Sequence, residues 1–190
     1  VDGKIGVTAG TVTIADAKAG STTDAATIST VTLNNYGNST ISSNALSTLN
    51  LSGTAGTLGL TTGLTTPTNT TLTMNLNKLS GTNTITDSTA AAGAGYKTLN
   101  VNSSTADSTL VALNFADVET LNVSGDAKLK ITGANTLTAV KDIVVTNTAG
   151  FDLGTAAIGA TVNFTGGAGN DSVVLSNLFE KAITMGAGND

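Results

Sequence analysis

The sequence predicts an all-β protein, a right-handed parallel β-solenoid with about 20 residues per coil. Three observations carry that expectation. A four-residue phrase of alternating apolar and small polar residues recurs along the chain at steps of 18 to 27 residues. The composition favours pleated surfaces: 37 Thr and 19 Asn stand beside 22 Gly, and no heptad-spaced helix formers occur. The stretches between phrases are too long for hairpins, lack the Asn-Gly and Asp-Gly turns that hairpins favour, and hold no amphipathic helix for a βαβ crossover.

The phrases justify the strands in order. The first is Thr11-Val12-Thr13-Ile14, followed by Thr30-Val31-Thr32-Leu33 and Thr48-Leu49-Asn50-Leu51. Thr71-Leu72-Thr73-Met74, Thr98-Leu99-Asn100-Val101 and Thr120-Leu121-Asn122-Val123 continue the series. Asp142-Ile143-Val144-Val145, Thr161-Val162-Asn163-Phe164 and Ala182-Ile183-Thr184-Met185 complete it. Each has the period-2 alternation of a half-buried strand. The two best copies align at an offset of 22, where Leu121, Val123 and Leu129 meet Ile143, Val145 and Phe151. Stacked coils would turn these apolar positions into inward ladders, with Thr, Asn and Ser outside. An antiparallel sandwich also shows short, evenly spaced strands. The repeats share residue types as well as spacing, which favours the solenoid. The widest steps lie between Thr48 and Thr98. Pro67 and the stretch Thr89–Gly95 suggest a loop or seam near residues 61–95.

Composition excludes much chemistry. The 190 residues include no Cys, His or Trp, and all eight basic residues are Lys. That removes Ser-His-Asp triads, thiolate nucleophiles, disulfides and guanidinium clamps. A net charge of −5 and 3% aromatic content argue against nucleic acid as a partner. No run of 18 apolar residues offers a transmembrane segment, and residues 1–20 do not read as a signal peptide. The chain opens on Val1 and ends inside a motif at Asp190, so it reads as a piece of a longer protein. No catalytic pair of carboxylates is evident. Asp117 with Glu119, and Lys128 with Lys130, read as solvated faces of strands. Tyr36 and Tyr96 read as packing or corner residues.

One motif carries specific chemistry. Gly166-Gly167-Ala168-Gly169-Asn170-Asp171-Ser172-Val173-Val174 matches G-G-x-G-x-D-x-U-x at each specified position. A second copy, Met185-Gly186-Ala187-Gly188-Asn189-Asp190, lacks the first Gly. The glycines permit a tight turn with converging carbonyl oxygens, and the Asp adds an anionic oxygen. Calcium takes six to eight oxygen ligands, a set that such turns can supply. Asp171 and Asp190 are 19 residues apart, one coil, so the two turns should stack. The candidate metal ligands are therefore Gly167, Gly169, Asp171, Gly186, Gly188 and Asp190, with Ca2+ as the cofactor.

This pair of motifs resembles RTX calcium-binding repeats, the β-roll signature of proteins exported by type I secretion. The motifs cover residues 166–190. The Thr-, Ser- and Asn-rich remainder, including Val118-Glu119-Thr120-Leu121-Asn122-Val123-Ser124-Gly125, resembles the solenoids of RTX-type surface-layer (S-layer) proteins of Gram-negative bacteria. The step of 19 is one residue longer than the family's usual one, Met185 replaces a Gly, and Ser176–Lys181 holds no motif on the opposite edge. A single calcium column is therefore expected.

The resemblance implies a division into solenoid repeats (1–165) and continuous calcium-binding coils (166–190). It implies a non-enzymatic, secreted, cell-surface structural segment that self-associates into a two-dimensional lattice. Any contact with cell-surface polysaccharide would lie in parts outside this chain. A type I-secreted adhesin or biofilm matrix protein is the alternative, and a carbohydrate-active β-helix with an RTX module ranks lowest.

Overall fold

A computed structural model describes residues 10–19, 21, 23–61, 69–89 and 93–190. Short alternating segments form β1 (Thr13–Ala15), β2 (Thr30–Tyr36), β3 (Ser39–Ser42), β4 (Thr48–Ala55), β5 (Leu58–Thr61), β6 (Thr71–Gly81) and β7 (Thr84–Asp87). They continue as β8 (Thr98–Ser103), β9 (Ser108–Leu110), β10 (Ala112–Asn114), β11 (Thr120–Ser124) and β12 (Leu129–Ile131). The last are β13 (Asp142–Val145), β14 (Phe151–Ile158), β15 (Asn163–Thr165), β16 (Ser172–Leu175) and β17 (Ile183–Thr184).

Every pairing among them is parallel, and successive strands alternate between sheets, as in a parallel β-solenoid. The longest sheet runs β17-β15-β13-β11-β8-β6-β4-β2. A second runs β1-β3-β5-β7-β10, and a third β16-β14-β12-β9. No helix occurs among the described residues, as the all-β expectation requires.

The core is a set of ladders inside the long sheet. Val31, Leu49, Met74, Val101, Val123 and Val145 pair in register from coil to coil. Leu72, Leu99, Leu121, Ile143, Phe164 and Ile183 form the neighbouring ladder. All but Ile183 are buried. Intervening Thr and Asn point outward because successive side chains of a strand alternate faces. The predicted alignment of Leu121, Val123 and Leu129 with Ile143, Val145 and Phe151 is the observed register.

Four alignments differ. The phrase Thr11–Ile14 falls on β1 in the second sheet, paired with β3, so the long sheet begins at β2. Thr48 pairs with Thr73 where phrase counting expects Thr71. Asp142 pairs with Asn163 where it expects Thr161. Phe164 pairs with Ile183 where it expects Met185. These three slips are two residues each, which keeps apolar positions inside, since faces alternate with period two. The phrase alone therefore cannot distinguish these registers. Pro67 lies outside the described residues.

The other expectations on single residues resolve variously. Tyr96 is buried, donates from its hydroxyl to the Leu46 carbonyl at 2.8 Å, and lies 6.5 Å from the Phe115 ring between centroids. Tyr36 is buried too. Burial pushes both phenols above their ordinary range. Asp117 and Glu119 precede β11 and do not share a strand face. Asp117 accepts the backbone N–H groups of Gly93 and Gly95, at 3.0 and 2.8 Å. Glu119 meets Lys141 one coil on, and this contact lowers the Glu119 pKa. Lys130 meets Asp152 one coil on, whereas Lys128 lies ahead of β12. The lysines in both ion pairs are well exposed, so neither pair contributes much to stability.

Near the first coil, Asp16 acts as a clasp. Its carboxylate accepts N–H groups from Lys18, Ile28 and Thr27 at 2.7 to 2.9 Å. The Lys18 contact is the largest of the causes that hold its pKa down to about 2.

Two outcomes are expected. Leu121→Ala should cost about 2–5 kcal/mol in urea unfolding, while Thr155→Ala, on the exposed side of β14, should change stability by less than about 0.5 kcal/mol. The depressed Asp16 pKa contributes stability that is fully present above the ordinary value of 3.8 and is lost as pH falls toward about 2. Acid titrations of stability should therefore lose part of their slope in that window in Asp16→Asn, and identical slopes would remove the clasp.

Candidate metal-binding corner

The chain must change direction between the long sheet and the third sheet within a few residues. Gly166–Asp171 makes that corner, joining β15 to β16. Gly186–Asp190 follows β17 at the equivalent place one coil on. The register between β15 and β17, Phe164 to Ile183 and Thr165 to Thr184, keeps the offset of 19 that the two motifs share.

The two turns are in direct contact. Ala187 N–H donates to the Gly167 carbonyl at 2.8 Å, and Asn189 N–H donates to Asn170 Oδ1 at 2.9 Å. Asp171 N–H donates to Asp190 Oδ1 at 2.8 Å. All six residues expected as ligands thus lie in two stacked turns.

The glycines are required here for space and for backbone conformation. Gly186 has φ +90, and a Cβ there would sit 1.9 Å from the Gly167 carbonyl oxygen. Gly188 has φ +138, with the Gly169 oxygen 2.4 Å from the same point. A Cβ at Gly167 would meet the Asn147 and Val145 oxygens of the coil below, at 2.7 and 3.1 Å. Carbonyl oxygens of three successive coils therefore crowd this corner.

The carboxylates are arranged differently from a simple face-to-face pair. Asp171 is buried, at 2% exposure. Its Oδ1 accepts the Phe151 N–H of the preceding coil at 2.9 Å, and its Oδ2 accepts the Gly167 N–H of its own turn at 2.8 Å. Each Asp therefore clasps the backbone of the coil before it: Asp171 holds Phe151, and Asp190 holds Asp171. That geometry satisfies N–H groups which a turn between sheets would otherwise leave unpaired.

One coil earlier, Asn147 occupies the same corner. It is fully buried, accepts from Ala149 and Gly150 N–H at 2.8 and 2.7 Å, and donates to the Ser124 and Ala127 carbonyls at 3.2 and 2.8 Å. A neutral amide thus joins stacked turns there. Sequence reading did not single out Asn147. Its position ahead of an Ala-Gly turn, one coil before the first motif, is the signal that could have found it.

The donor set fits a hard cation. It consists only of oxygens, and each Asp171 carboxylate oxygen, with one N–H accepted, retains a lone pair. No group of three or more His, Cys, Asp or Glu side chains able to hold a metal occurs among the described residues. A cation at this corner would therefore rely largely on backbone carbonyls. Neither the protein-family models nor the curated proteins include a match to this chain.

Asp171→Asn places an amide N–H₂ against a backbone N–H, and should cost about 1–3 kcal/mol in urea unfolding. Gly186→Ala should release the last turn, read as faster hydrogen exchange at the Ala187 and Asn189 amides. Unchanged exchange in Gly186→Ala would show that the turn is not packed as described.

Proposed function

We propose that this chain is a structural segment of a secreted, calcium-dependent S-layer protein that assembles into a two-dimensional lattice on the cell surface. The observation that carries the reading is the stacking of two glycine–aspartate turns, one coil apart, in a carbonyl-lined corner of a parallel solenoid. Gly167, Gly169, Asp171, Gly186, Gly188 and Asp190 would hold the ion through carbonyl and carboxylate oxygens. Bound calcium would supply positive charge between backbone dipoles and carboxylates that otherwise repel.

The chain's own residues supply the rest of the mechanism. Asp171 and Asp190 pin each coil to its predecessor, and the glycines let their carbonyls converge. Where external calcium is millimolar the corner would be locked, and at the low calcium of a cytosol it would be loose enough for export. The polar outer faces of the sheets present a regular surface for neighbouring copies.

The test has two arms. With calcium at about 100 times its dissociation constant, the melting temperature should rise by about 5–10 °C over the chelated protein, and Asp171→Asn should abolish the difference. An unchanged melting temperature and β-sheet circular dichroism on chelation would remove calcium from the reading. Electron microscopy of full-length protein with calcium should show a regular lattice. Discrete fibres or monomers would favour the adhesin alternative.

A further inference from the structure

One coil before the glycine–aspartate turns, the same corner is built on different chemistry. We infer, resting on the calcium reading above, that the Asn147 side chain stands in for a cation at its own corner, so that ion binding begins only with the next coil.

Asn147 is fully buried between two coils. Its Nδ2 donates to the Ser124 carbonyl at 3.2 Å and to the Ala127 carbonyl at 2.8 Å, both in the coil before. Its Oδ1 accepts from the Ala149 and Gly150 N–H groups of its own turn, at 2.8 and 2.7 Å. A primary amide has two N–H donors and two acceptor lone pairs, so all four of its positions are used. One side chain therefore combines two roles. It bridges carbonyl oxygens as a positive group would, and it gathers N–H groups as a carboxylate would.

The following coils separate those roles. Gly166, Gly167, Ala168 and Gly169 have no side chain that donates, and neither have Gly186, Ala187 and Gly188. These residues supply no replacement for the Asn147 N–H₂ group. Asp171 takes over the N–H groups, accepting from Phe151 and Gly167. As a carboxylate it offers no proton to a carbonyl, and it adds a negative charge. A hard cation would supply both the missing partner for the carbonyls and the balance for that charge. At Asn147 the same cation would have to displace an amide whose bonds are already made.

A second corner uses the amide in the same way, far from the motif. Asn83 is fully buried, donates to the Thr109 carbonyl at 2.8 Å and accepts the Val111 N–H at 2.9 Å. A buried amide is thus a way in which this fold joins coils without an ion.

Isothermal calorimetry of the whole chain with calcium tests the assignment. Asn147→Asp removes the amide protons and adds a carboxylate, and should bind about one more calcium per chain than the wild type. In chelator its melting temperature should fall by about 3–10 °C, and calcium should restore most of that loss. Thr148→Asp adds the same charge at the exposed neighbouring position and should keep the wild-type stoichiometry. If the wild type binds calcium and Asn147→Asp binds no more of it, the inference fails while the calcium reading stands. An equal gain in Thr148→Asp would overturn it too, by tracing the extra ion to charge alone. A wild type that binds no calcium removes both. Since Asn147→Asp could fail to fold, nuclear magnetic resonance of the wild type gives a second measurement. The Asn147 side-chain amide protons should exchange slowly with solvent, at the same rate in calcium and in chelator. Fast exchange in chelator that calcium slows would put the ion at this corner as well, against the inference.

Discussion

The structure depends on one constraint, the in-register parallel pairing that puts like residues over like. Val31, Leu49, Met74, Val101, Val123 and Val145 form one continuous apolar column only because each coil repeats the alignment of the last. A one-residue slip anywhere would turn a strand's apolar side chains outward. The same constraint orders the outside. Asn50 reaches Asn75, and Asn100 reaches Asn122, because register brings amides of neighbouring coils together. Burial stabilises the column, and the outer relays add direction to it.

Corners are where that regularity must be broken. A strand cannot turn between sheets without freeing backbone groups, and free buried groups are costly. The protein solves this with side-chain clasps that reach across coils. Asp16 collects three N–H groups, Asp117 two, Asn147 four partners, and Asp171 two. These groups are chemically related but not interchangeable. Asn147 both donates and accepts, and so joins carbonyls to N–H groups without a charge. Asp171 only accepts, which leaves the surrounding carbonyls without a side-chain donor. The change from amide to carboxylate at this corner coincides with the glycine-rich motif, and it is the feature on which the proposed cation site rests.

The architecture was legible because a period-2 phrase repeated at coil spacing has few other physical explanations. Eight of the nine phrases lie in or against the long sheet, and the ladder through Leu121 and Ile143 was readable directly. In the other two sheets only β1, through Thr11–Ile14, and the Leu129–Phe151 pairing of β12 with β14 were legible beforehand. Segments such as Leu58–Thr61 and Ala112–Asn114 are too short for alternation to rise above background. The two-residue slips at Thr73, Asn163 and Ile183 were hidden for a different reason, since they preserve which face is apolar. At the candidate site, spacing alone identified both turns and their stacking. It did not reveal that Asp171 turns toward Phe151 and Gly167, because the choice among N–H partners is made by packing three coils together.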